Sequence, residues 1–267
     1  MIESLFQGRS RILKIVLNVI GLAAVVLLIL KAPYGYGTTD ECYYLITPMK
    51  LVNGDVLLVD EWFPAQLFGA ALYPLLKIYM LIAGTTTGII LAFRYIYIGV
   101  KVLACIYIYR RLCRISDIFP AFIAALLFLI HSPFNIMALS YNTMGLIALS
   151  MAGVTLATLK EKEWFYTVLS GFLFAIAVLC CPYLVIAFIV YTAAMITAAV
   201  ARKRNMLLLR FRMWLGFVIG AAFAAVLFGI LILSRTSVKD VLQTLPHILS
   251  DPSHQNESFF ASIKDRP

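Results

Sequence analysis

Two pairs of adjacent carboxylates mark this chain, Asp40–Glu41 and Asp60–Glu61, with Asp55 between them. They hold five of the thirteen acids in 267 residues. A carboxylate beside a low-dielectric surface has its pKa pushed toward working pH, so Asp40 could take a proton from an acceptor hydroxyl. Asp60 and Glu61 could bind a divalent cation or, with Asp40, a sugar hydroxyl. A plainer reading stands next to each. Thr38 or Thr39 can cap a helix whose first turn carries Asp40 and Glu41, where acids favour the helix dipole. Asp60 and Glu61 can serve simply to keep an interfacial loop wet.

The acids sit in a polar, aromatic stretch between long apolar runs. The chain is 63% hydrophobic and 13% charged, with mean hydropathy +0.94. A soluble domain carries about 25% charged residues. Several runs approach the roughly 20 residues that cross hydrocarbon, and they are continuous, not alternating, which excludes a barrel. The expected fold is an all-α polytopic membrane protein. About seven transmembrane helices are expected near 12–32, 86–109, 117–133, 138–159, 165–181, 183–201 and 213–234. A large first outer loop, residues 33–85, carries the acids and interfacial helices. The run 64–83 is apolar, yet it contains Pro74 and Lys77 and is expected to lie along or dip into the interface. Residues 1–234 form one transmembrane module, and 235–267 read as an outer tail and the start of a longer protein. Gly84-Thr85-Thr86-Thr87-Gly88 reads as a turn.

Charge sets the expected orientation. With 64–83 at the interface and the N-terminus cytoplasmic, 13 of the 22 basic residues face inward, among them Arg9, Arg11, Lys14, Arg110, Arg111 and Arg114. Full crossing of 64–83 would turn the ten from Arg110 to Arg212 outward, against the positive-inside rule. The net charge of +9 therefore reports topology and not nucleic-acid binding. Tyr34, Tyr36, Tyr43, Tyr44 and Trp62 suit an interfacial aromatic belt. Arg9, Arg11 and Lys14 before an apolar run resemble a signal peptide, but no small-residue cleavage pattern follows, so the run reads as an uncleaved span. The five cysteines contain no C-x-x-C, which removes the zinc and redox signatures.

Arg94 and Lys101 fall inside the second span, where charge is costly. Arg94 could meet the phosphate of a lipid-linked donor, since its planar fork matches phosphate oxygens, or it could pair with a carboxylate or carbonyl of another helix. Tyr141 and Asn142, near His131, could line a sugar site or form an interfacial turn. Arg235 is a further outer cation. His247, Asp251, His254 and Glu257 have metal-like types at weak spacing.

The stretch Asp40-Glu41-Cys42-Tyr43-Tyr44-Leu45, then Leu51-Val52-Asn53-Gly54-Asp55, Trp62, Tyr73-Pro74-Leu75 and Gly88-x5-Arg94, resembles the GT-C superfamily of polyprenyl-phosphate-sugar-dependent glycosyltransferases. The protein O-mannosyltransferase and lipid A aminoarabinose transferase branch is the most similar. The likeness covers roughly residues 10 to 115. Relatives often carry His-Pro or Lys-Pro after the loop, where this chain has Trp62-Phe63-Pro64. The resemblance implies an inverting transferase of the plasma membrane with Asp40 as catalytic carboxylate and Glu41 assisting. Its partners would be the bilayer, a polyprenyl-phosphate-linked sugar and a cell-surface acceptor. Asp60, Glu61, Arg94, Tyr141, Asn142 and Arg235 are the expected substrate-binding set. A transporter or lipid flippase would place acids within spans, whereas here every acid but Asp117 falls in a loop or terminus. A non-catalytic scaffold of a polysaccharide-assembly complex is the third expectation.

Overall fold

The structure is a computed structural model and describes residues 2–35, 40–61, 68–160, 162–200 and 210–248. It is all-helical. In chain order the helices are α1 (Ile2–Lys31), α2 (Asp40–Asn53), α3 (Gly69–Ala83), α4 (Ile89–Leu112), α5 (Ile118–Ile130), α6 (Tyr141–Ala157), α7 (Trp164–Cys180), α8 (Val185–Val200), α9 (Phe211–Leu233) and α10 (Val238–Ile248). Short 3-10 turns at Pro133–Asn135 and Pro182–Leu184 precede α6 and α8. Among the described residues three helical stretches are long and apolar enough to cross a membrane, Ile12–Lys31, Ile89–Leu112 and Phe211–Leu233. The other apolar helices are shorter.

Each of the seven apolar runs is helical, and local chemistry sets the ends. Gly84 takes a left-handed conformation (φ 66°) and its N–H closes on Met80 O, which ends α3. Gly88 (φ 79°) delays α4 to Ile89. Pro133 pushes the chain out of helix after His131, so α5 has only 13 residues, four fewer than the run 117–133 allows. Ser140 and Thr143 exchange side-chain and backbone hydrogen bonds in a capping box that starts α6.

The largest core gathers Ala32, Tyr44, Phe68, Leu72, Phe93, Tyr97, Met137 and Leu139, where α2 and α3 fold against α4 and the segment before α6. Tyr44, Phe68 and Tyr141 meet edge to face or tilted at 5.8 to 6.2 Å. A second core joins Ala152, Phe174 and Phe217 of α6, α7 and α9. Outward, α1 and α9 expose Leu22, Leu27, Val226 and Ile230, a surface suited to lipid and not to water.

Backbones touch where α7 crosses α9. A Cβ added at Gly171 would lie 1.9 Å from Phe217 O, and one at Gly220 would lie 1.8 Å from Val168 O. Small residues allow this close approach of the two backbones.

At the far end of α4 a charged cluster ties three elements. Arg111 donates to Thr158 Oγ1 at 2.8 Å and to Thr155 O at 3.2 Å, and lies 4.4 Å over the Tyr166 ring. Arg114 holds Glu163 through two bonds of 3.0 and 2.5 Å. Those bonds from Arg114, with the Lys160 N–H and the charge of Arg111, hold the Glu163 carboxyl below its ordinary value of 4.5.

Two outcomes are expected. Gly220→Ala lowers stability by about 1–3 kcal/mol through overpacking. Gly99→Ala, with open space around it, is neutral or stabilising by up to about 1 kcal/mol. Thermal unfolding of both variants in detergent checks the contrast. Because the folded pKa of Glu163 is depressed, its contribution is fully present above about pH 4.5 and is lost as pH falls toward the folded value. Stability measured against pH should show this acid slope in the native chain and a shallower one in Glu163→Gln.

Candidate functional site

The site begins where α1 stops. Pro33 and the left-handed Gly35 (φ 75°) follow Lys31, so the chain turns. Turning leaves carbonyls with no helical N–H to accept from. Arg94, in the second turn of α4, supplies those bonds. Its Nη1 donates to Ala32 O at 2.5 Å and reaches Tyr34 O at 3.4 Å, and its Nη2 donates to Gly35 O.

The same guanidinium grips Glu41, in the first turn of α2. Nε donates to Oε2 at 2.9 Å, and Nη2 donates to Oε2 at 2.7 Å and Oε1 at 2.9 Å. Glu41 is 4% exposed and Arg94 5%. A guanidinium has five N–H donors, and here every one has an acceptor. Arg94 thus pairs with a carboxylate and with carbonyls of another helix's end. Through these bonds it fixes both sides of the turn, residues 32–35 and residue 41.

Asp40 is the first residue of α2. Its side chain lies outside the described residues, as do Thr38, Thr39 and Trp62-Phe63-Pro64. Its backbone is one residue from the clamped Glu41.

Two cavities flank the pair. One, of about 450 Å³, is mainly apolar and is walled by Pro33, Ile89, Ile90 and Leu91, with Thr86 at its edge. The other, of about 220 Å³, is more polar, with Lys31, Tyr34, Glu41 and Asn135 in its wall. Gly35 and Arg94 border both. Lys31 Nζ donates to Asn135 Oδ1 at 2.8 Å.

The far wall is irregular backbone. Phe134 (φ 55°) and Asn135 (φ 57°) are both left-handed. Asn visits that region readily, and Phe does so at a cost of order 1–3 kcal/mol. Surrounding bonds hold the conformation. Tyr97 OH donates to Ser132 Oγ at 3.1 Å, Ser132 Oγ donates to Ile136 O, and Asn135 N donates to Ser132 O at 3.0 Å. Lys101, buried at 2% exposure, donates to His131 O where α5 ends, and lies over Tyr97 and Phe128 at 5.4 and 5.6 Å.

The second acidic pair belongs to the opposite end of α2. Glu61 Oε2 is 2.6 Å from Nζ of Lys50, in the last turn of that helix, and this bond raises the Lys50 pKa. Asp60 Oδ2 accepts from Val56 N at 2.7 Å and closes a turn containing the left-handed Leu58. Nine residues of helix, about 14 Å at 1.5 Å each, separate Glu41 from Lys50. The two acidic pairs are therefore not brought together around one ion. Among the described residues no group of three or more His, Cys, Asp or Glu is placed to hold a metal.

Arg235 also stands at that end of α2, donating to Leu51 O at 2.9 Å and lying 4.5 Å over the Tyr73 ring. Tyr141 joins the aromatic cluster with Tyr44 and Phe68. Asn142 is half-buried in the first turn of α6. The His247 side chain, Asp251, His254 and Glu257 lie outside the described residues. Lys31 and Asn135 were absent from the expected site. A sequence signal existed for Lys31, the one cation at the end of the first apolar run. Nothing local signals that Asn135 would meet it.

Comparison of the chain with protein-family profiles, curated proteins and solved structures found no match.

The clamp predicts a large and asymmetric response to substitution. Arg94→Ala leaves a buried carboxylate unpaired and should cost about 3–5 kcal/mol. Arg94→Lys should restore little, since one ammonium cannot serve a carboxylate and three carbonyls at once. The double variant Glu41→Leu with Arg94→Met should be more stable than Arg94→Ala. A double-mutant cycle by thermal unfolding measures the coupling.

Proposed function

We propose that this chain is an integral membrane glycosyltransferase. It takes a sugar from a polyprenyl-phosphate carrier and passes it to a cell-surface acceptor. In this reading seven helices, α1 and α4 to α9, cross the plasma membrane with the N-terminus cytoplasmic. Helices α2 and α3 then lie at the extracytoplasmic surface, with α10 on the same side. The arrangement is that of a GT-C module.

The observation that carries the proposal is the Glu41–Arg94 clamp between two cavities. A buried, fully bonded ion pair at the root of α2 makes residue 40 a fixed point of the backbone. A general base needs such a fixed point, because its carboxylate must meet the acceptor proton within hydrogen-bond reach. The clamp also occupies both Glu41 carboxylate oxygens with Arg94 donors, which leaves Asp40 as the acid of the pair for chemistry.

Asp40 then accepts the proton of the acceptor hydroxyl as its oxygen attacks the anomeric carbon. The bond from that carbon to the phosphate oxygen breaks on the opposite face, so configuration inverts. The electron pair leaves on the lipid phosphate, where an outer-face cation stabilises it. The larger apolar cavity offers room for the start of an isoprenoid chain.

Asp40→Asn, folded and inserted, should lose transfer from a lipid-linked donor by about 10²- to 10⁴-fold. An unchanged initial rate would reject the assignment. Flux of lipid-linked sugar in proteoliposomes, with no transfer in either protein, would favour a flippase instead.

A further inference from the structure

The cavity between the end of α1 and the irregular segment before α6 has a feature that the catalytic pair does not use. Within it the Glu41 carboxylate is matched by Arg94, and Arg94 has no donor left over. Lys31 is the cation in its wall that is not matched by a carboxylate among the described residues. An ammonium has three N–H donors, and the structure gives one of them to Asn135. The α1 terminus does not need Lys31 as its cap, because Arg94 already takes the carbonyls of Ala32, Tyr34 and Gly35.

The wall opposite is built to face that ammonium. Its Asn135 amide is presented from a left-handed turn, next to a Phe134 that is 80% exposed. Tyr34, 76% exposed, also lines the cavity, on the Lys31 side. Non-helical backbone inside a bundle of membrane helices is tolerated where it lines a cavity. The polar cavity adjoins the larger apolar one at Gly35 and Arg94. A cation given one acceptor among the described residues, an amide and two exposed aromatics beside an apolar trough form a site with distinct head and tail ends.

We infer that Lys31 and Asn135 receive the phosphate of a membrane lipid whose hydrocarbon chain lies along Pro33, Ile89 and Leu91. The inference rests on the transferase reading for the identity of the lipid, a polyprenyl phosphate. It departs from the expectation drawn from the sequence in placing the phosphate on Lys31 and not on Arg94. The source is a lipid and not free phosphate, because the apolar trough would stay empty around an inorganic ion.

The experiment measures binding without acceptor, using the full chain in nanodiscs and polyprenyl phosphate as probe. Lys31→Gln should weaken binding by about tenfold, the size of one charge-assisted contact, and Lys31→Arg should recover most of it. Polyprenol without phosphate should bind the native chain and Lys31→Gln alike. Inorganic phosphate should not displace the lipid at millimolar concentration. Equal binding of polyprenyl phosphate by native chain and Lys31→Gln overturns the inference, as does recovery by no charged substitute. Displacement by inorganic phosphate overturns the lipid source. The two proposals fail separately. Normal transfer by Asp40→Asn with Lys31-dependent binding removes only the catalytic assignment. Loss of transfer in Asp40→Asn with Lys31-independent binding removes only this one.

Discussion

A buried guanidinium has to find acceptors for all five of its N–H groups, and that demand organises this protein's first hundred residues. Arg94 meets it with one carboxylate and three carbonyls. The acceptors come from both sides of a turn that would otherwise leave polar backbone stranded against apolar helices. Removing a charge from water costs several kcal/mol, so such a pair persists only where its geometry is complete. The completeness is what ties the end of α1, the start of α2 and the first turns of α4 into one unit.

The same device recurs down α4. Arg94 serves the end of α1, Lys101 serves His131 at the end of α5, and Arg111 serves Thr155 and Thr158 at the end of α6. Helix C-termini carry unsatisfied carbonyls and partial negative charge, so cations suit them. One helix thus gathers three others by their ends through buried positive side chains. Glycine does the complementary work between α7 and α9, where backbone meets backbone. The first region is held by polar bonds and can carry cavities. The second is close-packed around Phe174 and Phe217.

This division bears on where chemistry can occur. The two larger cavities and the left-handed Gly35, Phe134 and Asn135 lie around Arg94 and the segment before α6. Strain of that kind is held in place by surrounding bonds, here those of Tyr97, Ser132 and Lys31. The acidic turn at Asp60 and Glu61 is by contrast bonded locally, by Val56 N–H and Lys50. Glu41 and the Asp60–Glu61 pair therefore have different physical situations, one in a buried clamp and the other in a part-exposed turn.

The helices were legible in the sequence because hydrophobicity and the backbone's need for internal bonds act over short stretches. Long apolar runs and the glycines at 84 and 88 each act on their own neighbours. Proline at 133 also acts locally, although the run of apolar residues through it concealed how early α5 would end. The sequence likewise offered two partners for Arg94, a phosphate or a carboxylate, with no means of choosing. Choosing required that α1 and α4 be packed side by side, which brings residues 53 positions apart within a hydrogen bond. The meeting of Lys31 with Asn135, 104 positions apart, is of the same kind. Local propensity decides which segments are helical. Only the packed chain decides which charge is spent inside the protein and which remains for a ligand, because a buried charge takes its acceptors from wherever the fold brings them.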